Sequence, residues 1–599
     1  MALNIQIANT AIPYKSYIDI TSEQANFVSG SQNIMTTSQQ LMERFPGFAD
    51  SIESAITTFT AVKRHWLFPK WDGTFYSIVC DVSGGFAKLY KFLIGTDTSY
   101  TLIFTSTSSS PFDAAISNNT MYFGNGTDMR KYISGTSTTK WGITAPAAAP
   151  TIGTTGTGIT AYVGWYYRYT YCNSSTGHES SASPLSACTG IVSNKTVSVT
   201  VVASSDTQVD QIRVYRTTDG GSTDPNLMQE LSNSPFSNAG ATLSDTTADT
   251  SLGTRLCPGT TSNDPPTASS KLCTFAGRIY TAVNATSYFS ALEELPQNGV
   301  PEESFPSGLD GNSKSWPQAV NAQAPLPDGV AVFTQGKIWE IQGDRRDNLR
   351  YPGLLDLRGA ISATAVTSLG GSVAWLDTSS QVWMDDQEIG FDIRSDIKTI
   401  DHTQAYLAFY LQGRFHWLCL LDGANGKIYT YDLDSEQWMP PKVLPAAASA
   451  LSSGQTASGT VSLVCALNKT KIYKLNSASY NDGGTTYTPT GILNLLRVGP
   501  PEGKFLNVSL ETNAKTATYV GYELDDDPTN TSTTFTDISA NVSDPIKRDN
   551  GTNLVKKIYR PDSSPRAERA SIKFQWANED ANFNCFTVHV NDPQEQPGG

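Results

Sequence analysis

Apolar and polar positions in this chain alternate in short runs, and neighbouring runs are joined by Gly, Asn or Asp turns. One such pair runs from Val330 to Phe333, turns at Gln335-Gly336 and continues from Lys337 to Ile341. Runs rich in β-branched and aromatic residues around such a turn predict a β-hairpin. The pattern therefore predicts an all-β protein, and a helical period is suggested only over residues 21–43.

The second run of each hairpin opens with a recurring triplet, which is a basic or amide residue, a Leu or β-branched residue, and an aromatic ring. The six triplets end in Tyr90, Tyr280, Trp339, Trp383, Tyr429 and Tyr473. The last four triplets begin at 337, 381, 427 and 471, at intervals of 44, 46 and 44 residues. A period in the forties with strand-like units is typical of β-propeller blades. We predict a β-propeller of six or seven blades, against the alternative of an ordinary β-meander with chance periodicity.

The aromatic rings of the triplets are predicted to be structural. Each should occupy an equivalent position in its blade and lie largely between blades. On this hypothesis, truncating Trp339 to Ala costs about 3–5 kcal/mol, the usual loss for a large buried ring.

The period is interrupted between Tyr132 and Cys273. This interval begins with an Ala/Pro-rich linker and contains long alternating strands, a pattern that resembles a fibronectin type III module. After the last triplet the pattern changes again. The predicted parts are an extended arm (1–50), the first blades (51–144), an inserted β-sandwich (145–266), the remaining blades (267–484) and a C-terminal β-domain (485–599).

The charge of the chain argues against general binding to nucleic acid. Lys and Arg number 42 against 56 Asp and Glu, which gives a net charge of −14. Residues 547–573 are an exception, with eight basic and three acidic residues and a net charge of +5. This basic segment is interpreted as a contact for an acidic partner or for phosphates, or else as a solvated face. The candidate contact residues are Lys556, Lys557, Arg560, Arg566, Arg569 and Lys573.

Motifs for catalysis, cofactors or metals are not found, so we predict no enzyme activity and no cofactor. The five histidines are scattered, and the acidic group of Glu523 and Asp525–Asp527 lacks the ligand spacing of an EF-hand. The eight cysteines are expected to be mostly free thiols, with Cys172–Cys188 and Cys257–Cys273 as the conceivable pairs. No apolar run is long enough for a membrane span, and the N-terminus does not predict a signal peptide.

Several short motifs carry a resemblance to a known family. They are Ser22–Asn26, Met42–Phe48, Phe275–Tyr280 with Tyr288–Ser290, Val332–Ile341 and Gly359–Asp377. Together they resemble the tail-nozzle proteins (tail tubular B or tail-hub proteins) of short-tailed bacteriophages and their packaged-DNA-stabilisation relatives. The resemblance covers roughly residues 15–480, loosely, and does not account for the inserted sandwich.

The resemblance implies a virion protein, made in the host cytoplasm, that forms a ring of identical subunits, usually six. Such a ring lies below the portal and adaptor proteins, carries tail fibres and lets packaged DNA pass without sequence specificity. The scarcity of Lys and Arg agrees with a wall along which DNA slides. The basic segment is then expected to contact an acidic neighbouring subunit, because a basic lining would retain DNA.

Two other functions stay open from the sequence. The first is a receptor- or carbohydrate-binding propeller of a tail fibre or adhesin, with exposed loop aromatics such as Trp66 and Trp71 as binding residues. The second is a propeller glycosidase, for which the chain lacks the expected set of paired carboxylates.

Overall fold

The computed structural model of the chain describes a defined set of residues. These are residues 2–8, 15, 26–28, 30–36, 42–52, 57–159, 164–190, 195–260, 264–291, 300–306, 312–345, 348–497, 504–512, 517–524, 536–537, 542–547, 555–559, 569–576 and 583–591. Within them the chain forms forty-nine strands, numbered β1 to β49 in chain order, and little helix. The helical segments are α1 (Arg394–Ile397) and 3-10 turns at Pro225–Leu227, Asp249–Ser251, Pro301–Glu303, Ala363–Ala365, Phe391–Ile393 and His402–Gln404.

Seven four-stranded antiparallel sheets in the described part of the chain are the blades of a β-propeller. Blade 1 is β6 (Val62–Pro69), β7 (Phe75–Ser83), β8 (Phe86–Leu93) and β9 (Thr101–Thr105), and blade 2 is β10 (Asp113–Ser117), β11 (Thr120–Gly124), β12 (Met129–Tyr132) and β13 (Thr139–Lys140). Blade 3 is β21 (Ser270–Phe275), β22 (Arg278–Val283), β23 (Thr286–Phe289) and β24 (Ser313–Ser315), and blade 4 is β25 (Val320–Pro325), β26 (Gly329–Thr334), β27 (Ile338–Gln342) and β28 (Arg350–Asp356). Blade 5 is β29 (Val366–Leu369), β30 (Ser372–Leu376), β31 (Val382–Met384) and β32 (Gln387–Glu388), blade 6 is β33 (Ala405–Gln412), β34 (Phe415–Asp422), β35 (Lys427–Asp432) and β36 (Gln437–Val443), and blade 7 is β37 (Ala448–Ala457), β38 (Thr460–Leu467), β39 (Lys471–Asn476) and β5 (Gly47–Ser51). The predicted fold class is confirmed, with the hairpins of the sequence repeat as the middle strands of blades 4 to 7.

The sequence of β33 explains why a blade strand is apolar on both faces. Leu407 and Phe409 point into the core shared with blade 5, whereas Tyr406 and Tyr410 point into the core shared with blade 7. Because successive side chains of a strand alternate between faces, a strand packed between two neighbouring sheets needs an almost continuous apolar run.

The chain divides into two compact units. Residues 1–84, 88–102 and 360–599 form unit 1, with blades 5, 6 and 7, most of blade 1, and the C-terminal domain. In this unit the first strands of consecutive blades pack in order, β29 on β33, β33 on β37 and β37 on β6. Residues 85–87 and 103–359 form unit 2, where β10 packs on β21 and β21 on β25.

The interruption of the blade period in unit 2 is a separate β-sandwich, as predicted. One sheet is β14 (Thr151–Ile159), β16 (Lys195–Thr200) and β20 (Thr242–Asp245), and the other is β15 (Tyr167–Cys172), β17 (Gln211–Arg216), β18 (Gln229–Glu230) and β19 (Phe236–Ser237). Among the described residues, no strand of this insert pairs with a blade. Its core is built by aromatic and β-branched side chains such as Trp165, Tyr169 and Val199.

The C-terminal domain contains two sheets, and the N-terminal residues supply strands to both. The larger sheet is β1 (Ala2–Ala8), β3 (Ile34–Thr36), β4 (Met42–Arg44), β43 (Lys504–Thr512), β46 (Val542–Lys547), β47 (Val555–Tyr559) and β49 (Phe583–Asn591); the smaller is β2 (Asn26–Phe27), β42 (Thr490–Arg497), β44 (Ala517–Leu524), β45 (Thr536–Asp537) and β48 (Arg569–Trp576). A short hairpin, β40 (Asn481–Asp482) and β41 (Thr485–Thr486), precedes it.

The residues predicted as an extended arm, 1–50, supply strands to other parts of the fold, since β1 pairs with β49 along its whole length and β5 completes blade 7. The helical period suggested for 21–43 is wrong where the structure describes it, since 26–27, 34–36 and 42–43 lie in strands. The backbone N–H and C=O groups of these residues pair with strands from distant parts of the chain, in place of the local hydrogen bonds of a helix.

Candidate functional site

The N-terminal residues 42–52, which carry one of the family-like motifs, connect the C-terminal domain to blade 7. Arg44 lies at this connection and is 1% exposed. Its guanidinium carbon lies 4.5 Å from the ring centre of Tyr480 and 5.1 Å from that of Tyr487. Nη2 of Arg44 donates to the backbone oxygens of the same two tyrosines, at 3.3 and 3.1 Å. Only a planar, multiply donating cation fits both contacts, so this motif residue has a positional role.

The next residues of the motif are equally constrained. A Cβ on Gly47 would lie 2.0 Å from the backbone oxygen of Asn481, so no side chain fits there. The backbone N–H of Phe48 donates to Oδ1 of Asp482 at 2.8 Å, and Oδ2 of Asp482 lies 2.8 Å from Nζ of Lys442. Burial lowers the pKa of Lys442 to about 7 and raises the pKa of Asp482, while each partner's charge opposes the shift of the other. We call Arg44, Lys442, Tyr480, Asp482 and Tyr487 the junction cluster.

A pocket of about 300 Å³ lies in unit 1, among the first strands of blades 5, 6, 7 and 1. β6 contributes Arg64, His65 and Trp66 to its wall. The other lining residues are Ala363, Thr364, Val366, Thr367, Ser368, Leu369, Tyr406, Leu407, Ala408, Phe409, Ala450, Leu451, Ser452 and Ser453. Burial raises the pKa of Tyr406, and the positive charge of Arg64 opposes that rise.

His65, which lines the pocket, is held in a neutral state. Its ring nitrogens lie 2.6 Å from Oγ of Ser452 and 2.7 Å from Oγ of Ser77, and Ser77 in turn lies 2.5 Å from the hydroxyl of Tyr100. The ring is 4% exposed, and burial lowers its pKa from 6.5 to about 3. His65 therefore contributes hydrogen bonds at neutral pH but no charge.

Two of the strands that form the pocket depart from regular pairing at this level. The register of β6 with β7 shifts between Val62 and Arg64, and that of β37 with β38 shifts between Ser449 and Ser452. Within the second irregularity, Ala450 is buried and has a φ of +54°, a conformation that costs a non-glycine residue energy. Such bulges redirect side chains and are frequent next to binding sites.

Sequence reasoning did not find this pocket. Trp66 was singled out as an exposed loop aromatic, but it lies half-buried on β6 and lines the pocket. Trp71 does lie in a turn and is 79% exposed. The useful sequence signal was the pair Arg64 and Trp66, two residues apart on a strand, which places both on one face.

The aromatic residues of the triplets are largely buried, but they do not all hold one position. Tyr90, Trp339, Trp383, Tyr429 and Tyr473 lie on the third strands of their blades, whereas Tyr280 lies on β22, the second strand of blade 3. The expectation of equivalent positions is therefore corrected for Tyr280, because the tight turn at Ala276-Gly277 makes its hairpin the first one of the blade. Tyr90 and Trp339 are half-buried, and the other four are buried.

The predicted contact residues of the basic segment are divided between the two sheets of the C-terminal domain. Lys556 and Lys557 are on β47 of the larger sheet, and Arg569 and Lys573 are on β48 of the smaller one. Nζ of Lys573 lies 5.6 Å from the ring centre of Tyr519. Arg560 and Arg566 lie outside the described residues, as do Asp525–Asp527 of the acidic group.

Two other histidines contact neighbouring side chains. His178 is fully buried with Nε2 3.5 Å from Oε2 of Glu303, and His402 lies 2.7 Å from Oγ of Ser380. All seven cysteines whose side chains are described are free thiols, including both candidate pairs. No group of three or more His, Cys, Asp or Glu within the described residues is placed to hold a metal ion. The helices of that part of the chain include none that is long and apolar enough to cross a membrane.

No family model and no curated protein matches this chain in sequence. Among solved structures, the chain is similar to a streptogramin B lyase, with 11% identity and a TM-score of 0.26 over 71% of this chain and 96% of that one. It is also similar to Saccharomyces cerevisiae Sqt1, with 9% identity and a TM-score of 0.28 over 75% and 100% of the two chains. A third similar structure is BBS1N in complex with ARL6DN, with 10% identity and a TM-score of 0.24 over 73% and 98%. At these TM-scores the similarities carry no argument about function.

Proposed function

We propose that this chain is a virion structural protein, the subunit of a ring-shaped tail nozzle or hub that channels packaged DNA during ejection. The observation that carries the proposal is the structural role of the N-terminal motif 42–48. This stretch resembles the nozzle family in sequence, and in the fold it joins blade 7 to the C-terminal domain through Arg44 and Gly47. A motif in which Arg44, Gly47 and Phe48 are constrained in this way is better evidence for a shared architecture than a surface motif would be.

The charge of the molecule supports the same proposal. With a net charge of −14, a ring of such subunits presents a mostly acidic wall, and DNA phosphates are repelled from it. The ring then binds head-tail adaptor or portal proteins at one end and tail fibres on its outside. DNA passes through without sequence specificity, because nothing in this proposal reads base edges.

The experiment that tests the proposal is the oligomeric state of the purified full-length chain, alone and with the matching portal and adaptor proteins. We expect a closed ring in negative-stain images and a native mass that is a whole multiple of 64.6 kDa, most simply six. Arg44→Ala should disrupt the ring, because it loosens the junction cluster. Gly336→Ala, at a site where a Cβ has room, should leave the ring intact. A chain that stays monomeric with and without its tail partners contradicts the proposal.

We also propose that the protein has no catalytic activity. Hydrolysis of a capsule or cell-wall glycan by the purified chain, abolished by one carboxylate-to-amide substitution, would overturn this part. The second candidate function, a receptor- or carbohydrate-binding propeller, is favoured by one observation, the 79% exposure of Trp71. Glycan binding by a monomer that Trp71→Ala abolishes would support that candidate over the nozzle.

A further inference from the structure

The junction cluster contains an amine and a carboxyl group that are buried in contact with each other. The side chains of Lys442 and Asp482 are 0% and 1% exposed, and Nζ of the lysine lies 2.8 Å from Oδ2 of the aspartate. Neither atom has a hydrogen-bond partner among the described residues, so this close contact lacks the angles of a hydrogen bond. A buried ion pair recovers its desolvation cost through well-aligned hydrogen bonds, so an ion pair alone does not explain the contact.

The surroundings of the two groups favour their uncharged forms. Nζ of Lys442 lies 3.0 Å from the ring centre of Tyr487, on the face of an aromatic side chain. Burial, assisted by the positive charge of Arg44, lowers the pKa of Lys442 to about 7, and burial raises the pKa of Asp482. When the proton of the ammonium moves to the carboxylate, a neutral amine, which is a nucleophile, lies beside a protonated carboxyl group, which it can attack.

The carboxyl group of Asp482 is also held in a fixed orientation. The backbone N–H of Phe48 donates to its Oδ1 at 2.8 Å, while its Oδ2 lies beside the amine of Lys442. Addition of a nucleophile to the carboxyl carbon puts negative charge on Oδ1, and a backbone N–H that is already in place stabilises that charge. The two oxygens therefore have different surroundings, one suited to an oxyanion and the other to a leaving group.

We propose that Lys442 and Asp482 react with each other and form an intramolecular isopeptide bond. Nζ of Lys442 adds to Cγ of Asp482, so that a C–N bond forms and the bond from Cγ to Oδ2 breaks. Oδ2 leaves as water, with the carboxyl proton and one proton from Nζ, which is adjacent to it. No atom is oxidised or reduced, and the step needs no further reactant. The proposal does not rest on the nozzle function, because both residues belong to one chain.

Such a bond would act as a covalent clamp at the place where the N-terminal strand completes blade 7. Lys442 lies on β36 of blade 6, Asp482 lies on β40, and the N–H that holds the carboxyl group belongs to Phe48 of β5. The link closes a loop that contains β37, β38 and β39 of the same blade. A cross-link of this kind restricts the unfolded chain, as a disulfide does, and so stabilises the folded one.

The test is the intact mass of the purified full-length chain, measured after denaturation and reduction. We expect a mass below that of the sequence by the mass of one water molecule. Trypsin should then fail to cut after Lys442, and the digest should contain segment 428–469 joined to segment 475–497, which carries Asp482. A chain with the full mass of its sequence, cut normally after Lys442, overturns the proposal and leaves the contact as an ion pair.

Substitutions separate this bond from another reaction that also releases water, ring closure at Asp482-Gly483. Lys442→Met and Asp482→Ala should both have the full mass of their sequences. Lys398→Met, at an exposed lysine elsewhere in unit 1, should show the same loss of water as the wild type. A loss of water that persists in Lys442→Met, without joined peptides, assigns it to ring closure and overturns the proposal. The joined peptides of the wild type decide the question even where a variant does not fold.

Discussion

At the scale of single residues, unit 1 buries polar side chains among partners that match them. Arg44 lies between two aromatic rings and donates to two backbone oxygens, whereas the neutral ring of His65 lies between two serines. The difference follows from the partners, since carbonyl oxygens and ring faces stabilise a cation and hydroxyl groups satisfy a neutral imidazole. Such residues make the stability of the protein sensitive to pH and to conservative substitutions.

His65 gives a pH dependence with a defined sign. Its pKa in the folded protein is about 3 against 6.5 ordinarily, so the unfolded chain binds the proton more readily. The contribution of the neutral His65 ring to the free energy of unfolding is fully present above pH 6.5. It is lost as the pH falls toward 3, by at most about 1.4 kcal/mol per pH unit. We expect His65→Gln to be less stable than wild type at neutral pH and to lose less stability across that window. Thermal unfolding of both proteins over this pH range tests the prediction. Curves of stability against pH that run parallel for the two proteins would contradict it.

The aromatic residues of the triplets should differ in their energetic weight. Trp383 is 7% exposed, packs on Trp375 with ring centres 6.3 Å apart and donates from Nε1 to Asp377 at 3.0 Å. We expect Trp383→Ala to lower the free energy of unfolding by about 3–5 kcal/mol. Trp339 is half-buried and packs on Trp316 at 5.8 Å, so its truncation should cost less than the sequence alone suggested. Unfolding by denaturant, followed for both variants, measures the difference, and equal losses would contradict it.

At the scale of secondary-structure elements, the most consequential strand is β5. It pairs with β39 through Tyr473, Lys474 and Asn476, and so blade 7 combines residues from near the start of the chain with residues after 448. This closure makes the stability of blade 7 depend on a strand that is far away in sequence. Loss of β5 would leave the edge of β39 unpaired.

Gly47 tests the role of β5 directly. A Cβ there meets backbone atoms of Asn481 at 2.0 and 2.7 Å, which cannot move without shifting β40. We expect Gly47→Ala to lower the free energy of unfolding by about 1–3 kcal/mol and to speed amide hydrogen exchange in β39. Gly336→Ala is the matched control, since its Cβ would meet nothing closer than 3.9 Å and its φ is not positive. Equal melting temperatures for the two variants would mean that β5 is dispensable.

The elements also show which parts of the fold the sequence could predict. The middle hairpins of blades 4 to 7 follow from local alternation and a fixed period, because their partners are adjacent in the chain. The N-terminal strands could not be assigned, because the partner of Ala2 is Asn591 and no local pattern encodes so distant a pairing. The pocket escaped prediction for a related reason, as its wall is assembled from four strands and depends on bulges that have no sequence signature.

At the scale of the whole molecule, charge is distributed unevenly. The basic segment 547–573 has a net charge of +5, which leaves −19 for the other residues. The four candidate residues that the structure describes lie on strands of both sheets of the C-terminal domain, so their charge is not confined to one strand. In an acidic molecule with a basic segment, the acidic part of one copy attracts the basic segment of the next.

This unevenness leads to a prediction about assembly. Reversing Arg566 and Arg569 to Glu should weaken ring formation or docking onto the particle and should leave the isolated chain folded. The control is Arg345→Glu with Lys398→Glu, which changes the net charge equally at exposed positions outside the segment. Sedimentation at low and high salt measures the effect, because attraction between exposed charges is screened by salt and the wild-type ring should loosen in the same direction. If the variant assembles normally but the particles lose their packaged DNA, the segment holds DNA and not a neighbouring subunit.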